Sequence, residues 1–135
     1  MKLKLYLKKA RIENSVMSAI DKLIRARHLL EQLLDDLIVS LSINIDFKRL
    51  YILLKDGVKI YIVYNNYGEY SYSIIFSKLE LDRYRFDNYD AHWNVSTTPH
   101  HFHPRNKKEA ISSDMIGDPD SDMPLLCNFL KSGRI

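Results

Sequence analysis

Cysteine, glycine and proline are all scarce in this chain. It has one cysteine, Cys127, and four residues each of glycine and proline among 135. A single cysteine excludes an internal disulfide and makes a reducing, cytoplasmic setting the expected one. So little glycine and proline argues against long flexible linkers. The length predicts one domain over residues 1–135.

Long apolar runs are also missing. The longest largely apolar stretch without an acidic or basic residue, Leu37 to Ile45, has nine residues, about half of what crossing a bilayer requires. Lysines interrupt the apolar positions at the start of the chain, so we expect neither a secretory signal nor a membrane segment. The absence of a Gly-rich phosphate loop and of a zinc-type cysteine pair argues against nucleoside triphosphatases and zinc fingers.

The net charge of +3 comes entirely from the N-terminal part of the chain. Residues 1–41 hold eight basic and five acidic side chains, residues 42–90 hold seven of each, and residues 91–135 hold five of each. The basic arm over residues 1–11 has two interpretations. It either contacts nucleic-acid phosphates or is a solvated, soluble end.

Apolar residues at helical spacing predict a helix over residues 15–41, with Asn14 or Ser15 as the N-cap. Such a helix would be about 40 Å long, more than a domain of this size covers. Either it breaks into two helices near Arg25–His28, or part of it packs on a second chain. The spacing of a helical seam is found at three leucines: Leu30, Leu34 and Leu37. These leucines either pack in the core of this chain or contact a second copy in a homodimer, and both alternatives remain open.

Alternating apolar residues follow over residues 43–90 and predict an antiparallel meander of about four to five strands. Asp56-Gly57 supplies a tight hairpin turn, and short connections require antiparallel neighbours. Residues 91–122 have no such pattern and predict a loop region containing histidines. A short C-terminal helix is expected over residues 122–132, capped by Asp122 and ended by Gly133. The predicted class is α+β, with the N-terminal helix packed on the sheet.

The fourth predicted strand and the loop after it hold the candidate functional residues. Period-two geometry places Arg83, Arg85 and Asp87 on one strand face. It places the aromatic residues Tyr84 and Phe86 on the core face. Four of the five histidines follow within residues 91–104. Since imidazole both takes and gives a proton near neutral pH, the predicted cluster is Arg85, Asp87, His92, His101 and His103. His100 is the weaker candidate because it should point away from His101.

Three uses of the histidine segment remain open. It is a solvated surface tract, an active-site loop, or a metal site formed by His101 and His103, alone or with His92. Alternating histidines on an extended segment point the same way, and neutral imidazole binds zinc and similar ions.

The sequence Arg85-Phe86-Asp87-Asn88, followed by His92 and by Thr98-Pro99-His100-His101-Phe102-His103, resembles the TumE family of small toxins of toxin–antitoxin systems. The resemblance is strongest over residues 61–103. It departs at Ala91, where the family often has a histidine. The resemblance implies a toxin paired with a helix-turn-helix antitoxin.

Two functions follow as hypotheses. The first is a metal-independent ribonuclease toxin acting on RNA, in which His101 or His103 supplies the base and acid, Arg85 stabilises the phosphorane and Asp87 orients a histidine. No cofactor is expected in that case. The second is a non-enzymatic binding protein whose histidine loop holds a divalent metal or docks a partner.

Overall fold

The computed structural model describes residues 17–90 and 92–132. The predicted basic arm, the predicted caps Asn14 and Ser15, and Gly133 lie outside these residues. The described elements, in chain order, are α1 (Ala19–Leu33), a 3-10 turn (Asp35–Leu37), β1 (Ile38–Asn44), β2 (Arg49–Leu54), β3 (Lys59–Tyr64), β4 (Tyr70–Ile75), β5 (Arg83–Asp87), β6 (His101–His103), β7 (Ile111–Ser112) and α2 (Pro119–Ser132).

The strands form one antiparallel sheet in which each strand pairs with the next along the chain. This confirms the predicted α+β class with its meander and two helical ends. Within the described residues the sheet has seven strands, more than predicted. The first strand, β1, begins inside the segment predicted to be helical, and β6 and β7 come from the predicted loop region.

The N-terminal helix is shorter than predicted. It begins after Ser18, whose hydroxyl oxygen accepts a hydrogen bond from the backbone N–H of Asp21, and it continues through Arg25–His28 without the predicted break. It ends at Leu33, so the prediction of helix as far as Leu41 is wrong. Leucines at positions 34, 37 and 41 fit a helical period, but the β-branched residues after Leu37 favour a strand, and β2 provides an antiparallel partner.

The leucines predicted to form a seam have different environments. Leu30 and Leu34 are buried in the core of this chain, whereas Leu37, in the turn before β1, is 38% exposed. Neither Leu30 nor Leu34 is therefore available to a second copy.

The two faces of the sheet differ in kind. One face carries alternating buried residues of β2 to β5, and both helices pack on it to form the core. Tyr84 and Phe86 belong to this face, as predicted. The other face, here called the open face, carries Arg85, Asp87 and the alternating residues of β2 to β4.

The second helix begins at Pro119, before the predicted cap. The Asp118 carboxylate accepts a hydrogen bond from the Ser121 hydroxyl in its first turn. Asp122 is instead buried and accepts hydrogen bonds from the N–H of Gly117 at 2.7 Å and from the Tyr72 hydroxyl at 2.6 Å. It thus ties the start of α2 to the sheet. Within the described residues, neither helix has the length and apolar character of a membrane span.

Candidate active site

Strand pairing brings the sequence motifs together on the open face. Arg85 lies opposite His103, and Asp87 lies opposite His101, across the β5–β6 ladder. Residues directly opposite on one face of an antiparallel pair have Cβ atoms about 5 Å apart. The His-Phe-His segment is therefore a strand, and its two histidines meet the arginine and the carboxylate predicted to accompany them.

His101 and Asp87 form the buried half of this cluster. Their side chains are 1% and 3% exposed, and His101 Nε2 lies 2.6 Å from Asp87 Oδ1. The other ring nitrogen, Nδ1, lies 2.9 Å from the carbonyl oxygen of Pro99, so it is the donor there. His101 is therefore fixed by a backbone carbonyl on one side and lies against the Asp87 carboxylate on the other, with almost no exposed surface.

Arg85 connects the buried half to the exposed half. Its Nε lies 2.7 Å from Asp87 Oδ2, and its Nη2 donates to His103 Nε2 at 3.1 Å. Among the described residues, neither Arg85 Nε nor Asp87 Oδ1 has a hydrogen-bond partner with good geometry, although both atoms are buried. The short distances to Asp87 are therefore close polar contacts and not well-directed hydrogen bonds. Burial raises the pKa of Asp87, although Arg85 and His101 oppose the rise.

His103 is the more exposed of the two histidines on β6, and it is half-buried. Burial lowers its pKa to about 4, and the charge of Arg85 adds to the lowering. Its ring is consequently neutral at pH 7. Because Nε2 accepts from the guanidinium, the neutral ring carries its proton on Nδ1.

Trp93 packs over the two histidines. Its ring centroid lies 5.9 Å from that of His101 and 5.2 Å from that of His103. His92 contacts the same indole at 4.8 Å but is itself exposed. The structure therefore groups Arg85, Asp87, His101 and His103, with His92 at the margin.

An open pocket of about 370 Å³ begins at His103 and Arg85. Four of its lining residues are formally positive and one is acidic: Arg83, Arg85, Lys107 and Lys108 against Glu80. Trp93 forms part of the wall. A pocket with this balance favours an anionic ligand such as a phosphate.

Neighbouring polar residues hold the histidine segment in place. The Asn88 side chain donates to the Gly68 carbonyl and accepts from the Tyr70 N–H, which fastens the end of β5 to the start of β4. His100 points to the other side of the sheet, as predicted, and shares a 2.9 Å hydrogen bond with the Tyr70 hydroxyl. The Thr97 hydroxyl donates to the His100 carbonyl at 2.7 Å.

A metal-ligand geometry is also present. Asp87, His101 and His103 offer one ligand atom each within 4.8 Å of one another. The bond from His101 Nδ1 to a backbone carbonyl is typical of metal-bound imidazoles. This set contains Asp87 in place of His92, which the sequence had suggested as a ligand. The Arg85 guanidinium beside Asp87 opposes a divalent cation, because like charges repel at this distance.

The cluster predicted from the sequence omits the other lining residues of the pocket. Period two places Arg83 on the strand face of Arg85, but the predicted cluster does not include it. Trp93, the one tryptophan of the chain, stands beside His92, and that adjacency was a usable signal. Lys107 and Lys108 follow no periodic pattern, and their position depends on the path of the loop after β6.

Comparison with protein families supports the resemblance noted above. A family model described as "Toxin TumE" matches residues 20–132, a span that includes the sheet and every residue of the cluster. Comparisons with curated proteins and with solved structures gave no match. The chain therefore belongs to the TumE toxin family.

Proposed function

We propose that this toxin cleaves RNA at the pocket beside His103 without a metal ion. The observation that carries the proposal is a neutral histidine, hydrogen-bonded to Arg85, on the wall of a basic pocket. Membership of a toxin family implies an antitoxin partner. We further propose, from the family resemblance, that this antitoxin has a helix-turn-helix.

The residues of the site have different roles in the proposed reaction because their environments differ. A substrate phosphate recruits Arg85 and Arg83 and withdraws the Arg85 hydrogen bond from His103 Nε2. The phosphate charge also raises the pKa of His103, so the freed nitrogen becomes a better base. Asp87 and His101 act as positioning residues, because they fix the guanidinium from its buried side.

The reaction is an internal transfer at phosphorus. His103 Nε2 takes the proton of the ribose 2′-hydroxyl as the 2′-oxygen attacks phosphorus. The P–O5′ bond breaks, and the leaving 5′-oxygen takes a proton from a lysine ammonium of the pocket, Lys107 or Lys108, or from water. The products are a 2′,3′-cyclic phosphate and a 5′-hydroxyl. The arginines stabilise the charge that develops on the phosphorane.

The test uses purified protein and end-labelled RNA in the presence of a chelator. We expect the RNA to be cleaved, and a 2′-deoxy substitution at the cut site to prevent cleavage. The cleavage rate of His103→Asn should be lower by about 100-fold or more, since general-base catalysis contributes about 10²–10⁴-fold. His28→Asn is the matched control, because His28 is an exposed histidine on α1. Intact RNA under all conditions, or equal rates for wild type and His103→Asn, contradicts the proposal.

A metal site formed by Asp87, His101 and His103 is the second candidate, favoured by the ligand spacing and by the Pro99 carbonyl bond to His101. It predicts one zinc ion per chain after dialysis against zinc, lost in His101→Ala. Loss of cleavage or of folding when the chelator is added would support this metal site. Activity that survives chelation would contradict a catalytic metal.

A further inference from the structure

A straight row of side chains crosses the open face of the sheet. Pairing places Tyr51 opposite Tyr61, Tyr61 opposite Ser73, and Ser73 opposite Arg85. Arg85 is opposite His103. We call these five residues the cross-strand row. Adjacent strands lie about 4.8 Å apart, so the row extends about 19 Å from Tyr51 to the candidate active site.

The two tyrosines of the row present aromatic surface to the open face. Their ring centroids are 5.0 Å apart, with an angle of 40° between the planes. The Arg49 guanidinium lies 5.3 Å from the Tyr61 ring centroid. Both tyrosines are half-buried, unlike those that belong to the core: Tyr64, Tyr70, Tyr72 and Tyr84. The core therefore accounts for four tyrosines and does not include the pair on the open face.

Basic side chains flank the row. The strands β2, β3 and β5 place four basic residues and one acidic residue on this face: Arg49, Lys59, Arg83 and Arg85 against Asp87. Asp87 is already engaged by Arg85 and His101. The other six acidic residues of the segment 42–90 lie in turns and loops. The face thus carries an excess of positive charge on β2, β3 and β5.

Surface depressions connect the tyrosines to the pocket. One, of about 260 Å³, lies at Arg49, Tyr51 and Tyr61. A second, of about 410 Å³, extends from Tyr61 and Lys59 to Arg83, and Arg83 also lines the pocket beside His103. Neighbouring depressions thus share lining residues, Tyr61 for the first two and Arg83 for the second and the pocket, which favours a linear ligand that extends from the tyrosine pair to the base.

We infer that the open face binds single-stranded RNA, with bases stacked on Tyr51 and Tyr61 and the backbone led along the basic flanks to Arg85 and His103. The inference rests on the proposed function, and it adds the substrate class and its path. A single strand fits because its unpaired bases can stack on aromatic rings. Phosphates account for the positive flanks, which a neutral or basic protein partner would not require.

The test measures fluorescence anisotropy of a labelled single strand of about ten nucleotides, 2′-O-methylated so that it cannot be cleaved. Tyr61→Leu keeps a branched apolar side chain of comparable bulk but removes the stacking ring. We expect it to weaken binding about 5- to 150-fold, whereas Tyr61→Phe binds as wild type does. Tyr67→Leu is the matched control, because Tyr67 is 90% exposed in the turn between β3 and β4.

Inorganic polyphosphate, which has charge but no bases, separates stacking from electrostatics. Tyr61→Leu should bind it as tightly as wild type, and a thermal melt establishes that the variant is folded. Tyr51→Leu provides the same comparison at the second ring. RNA affinity equal to wild type in both leucine variants overturns the inference, and it would point to a protein partner for this face.

Cleavage of the unmodified strand is followed separately, so the two proposals fail in different ways. RNA that binds through Tyr61 but stays intact refutes the proposed function and leaves the inference standing. RNA that is cleaved with full affinity by the leucine variants supports the proposed function and overturns the inference.

Discussion

His101 and His103 are two residues apart on one strand face, yet they lie in different environments that suit different roles. His101 lies under Trp93 with both ring nitrogens occupied, whereas His103 lines an open pocket. The sequence pattern does not distinguish the two histidines, because each is adjacent to Phe102 and both lie on the same strand face. The difference arises from the loop that covers His101, and the path of that loop is not encoded in local spacing.

The depressed pKa of His103 predicts a loss of stability in mild acid. The folded chain protonates this ring near pH 4, while the unfolded chain does so near pH ~6.5. Between these values the unfolded chain binds more protons, so the free energy of unfolding falls as the pH drops through this window and is fully retained above it. We expect a loss of about 1–2 kcal/mol, less than the full shift implies, because the ring is partly solvated.

Urea unfolding at pH 7 and pH 5 measures this effect as a difference between wild type and His103→Gln. The comparison between variants is needed because the raised pKa values of Asp87 and Asp122 act in the opposite sense. His28→Gln, at an exposed histidine, should behave as wild type does. A His103→Gln chain that loses as much stability as wild type would show that His103 titrates normally.

At the scale of the elements, Gly117 allows the segment before α2 to lie close against the sheet. Its φ is +90°, and a Cβ there would lie 2.8 Å from Tyr70 Cδ1. Gly117→Ala should therefore combine backbone strain with a clash against a buried ring, at a cost of about 2–4 kcal/mol in the free energy of unfolding. Chemical denaturation measures the loss.

Gly57 provides the matched comparison for this prediction. Its φ is +89°, but no atom of the described residues lies within 4 Å of the position of an added Cβ. Gly57→Ala should cost about 1 kcal/mol through backbone strain alone. Equal costs at the two glycines would mean that Tyr70 moves aside without penalty.

The elements differ in how far sequence predicts them. Periodicity identified β2 to β5 and the core of α1, because their alternation or helical spacing is unambiguous. It failed at the start of β1, because leucines at 34, 37 and 41 continue the helical spacing into a segment that forms a strand. It also failed at β6, since a strand of three residues is too short to show a period. That strand forms only because β5 offers an unpaired edge.

At the scale of the whole molecule, folding separates charges that balance in the sequence. Residues 42–90 hold seven basic and seven acidic side chains, which predicts no excess of either sign. The strands nevertheless direct their basic residues to the open face, while the acidic residues other than Asp87 occupy turns and loops. Sequence therefore identified the cluster of Arg85, Asp87 and the histidines, but not the basic surface that leads to it.

This charge separation predicts how RNA affinity depends on salt. Each phosphate of a single strand that a basic side chain neutralises adds about 0.7 to the slope of log affinity against log salt, because a condensed counterion is released. Lys59→Gln removes one such contact on the flank of the cross-strand row. We expect the slope to fall by about 0.7, with a similar reduction in affinity for every RNA sequence.

Lys131→Gln is the control for this change, because it removes the same charge from an exposed position of α2, the helix that packs on the opposite face. Its slope should equal that of wild type. If Lys59→Gln and Lys131→Gln reduce the slope equally, the attraction depends on the net charge of the molecule and not on the open face. If only Lys59→Gln changes the slope, the phosphates lie along the strands, where the sheet has gathered its basic residues.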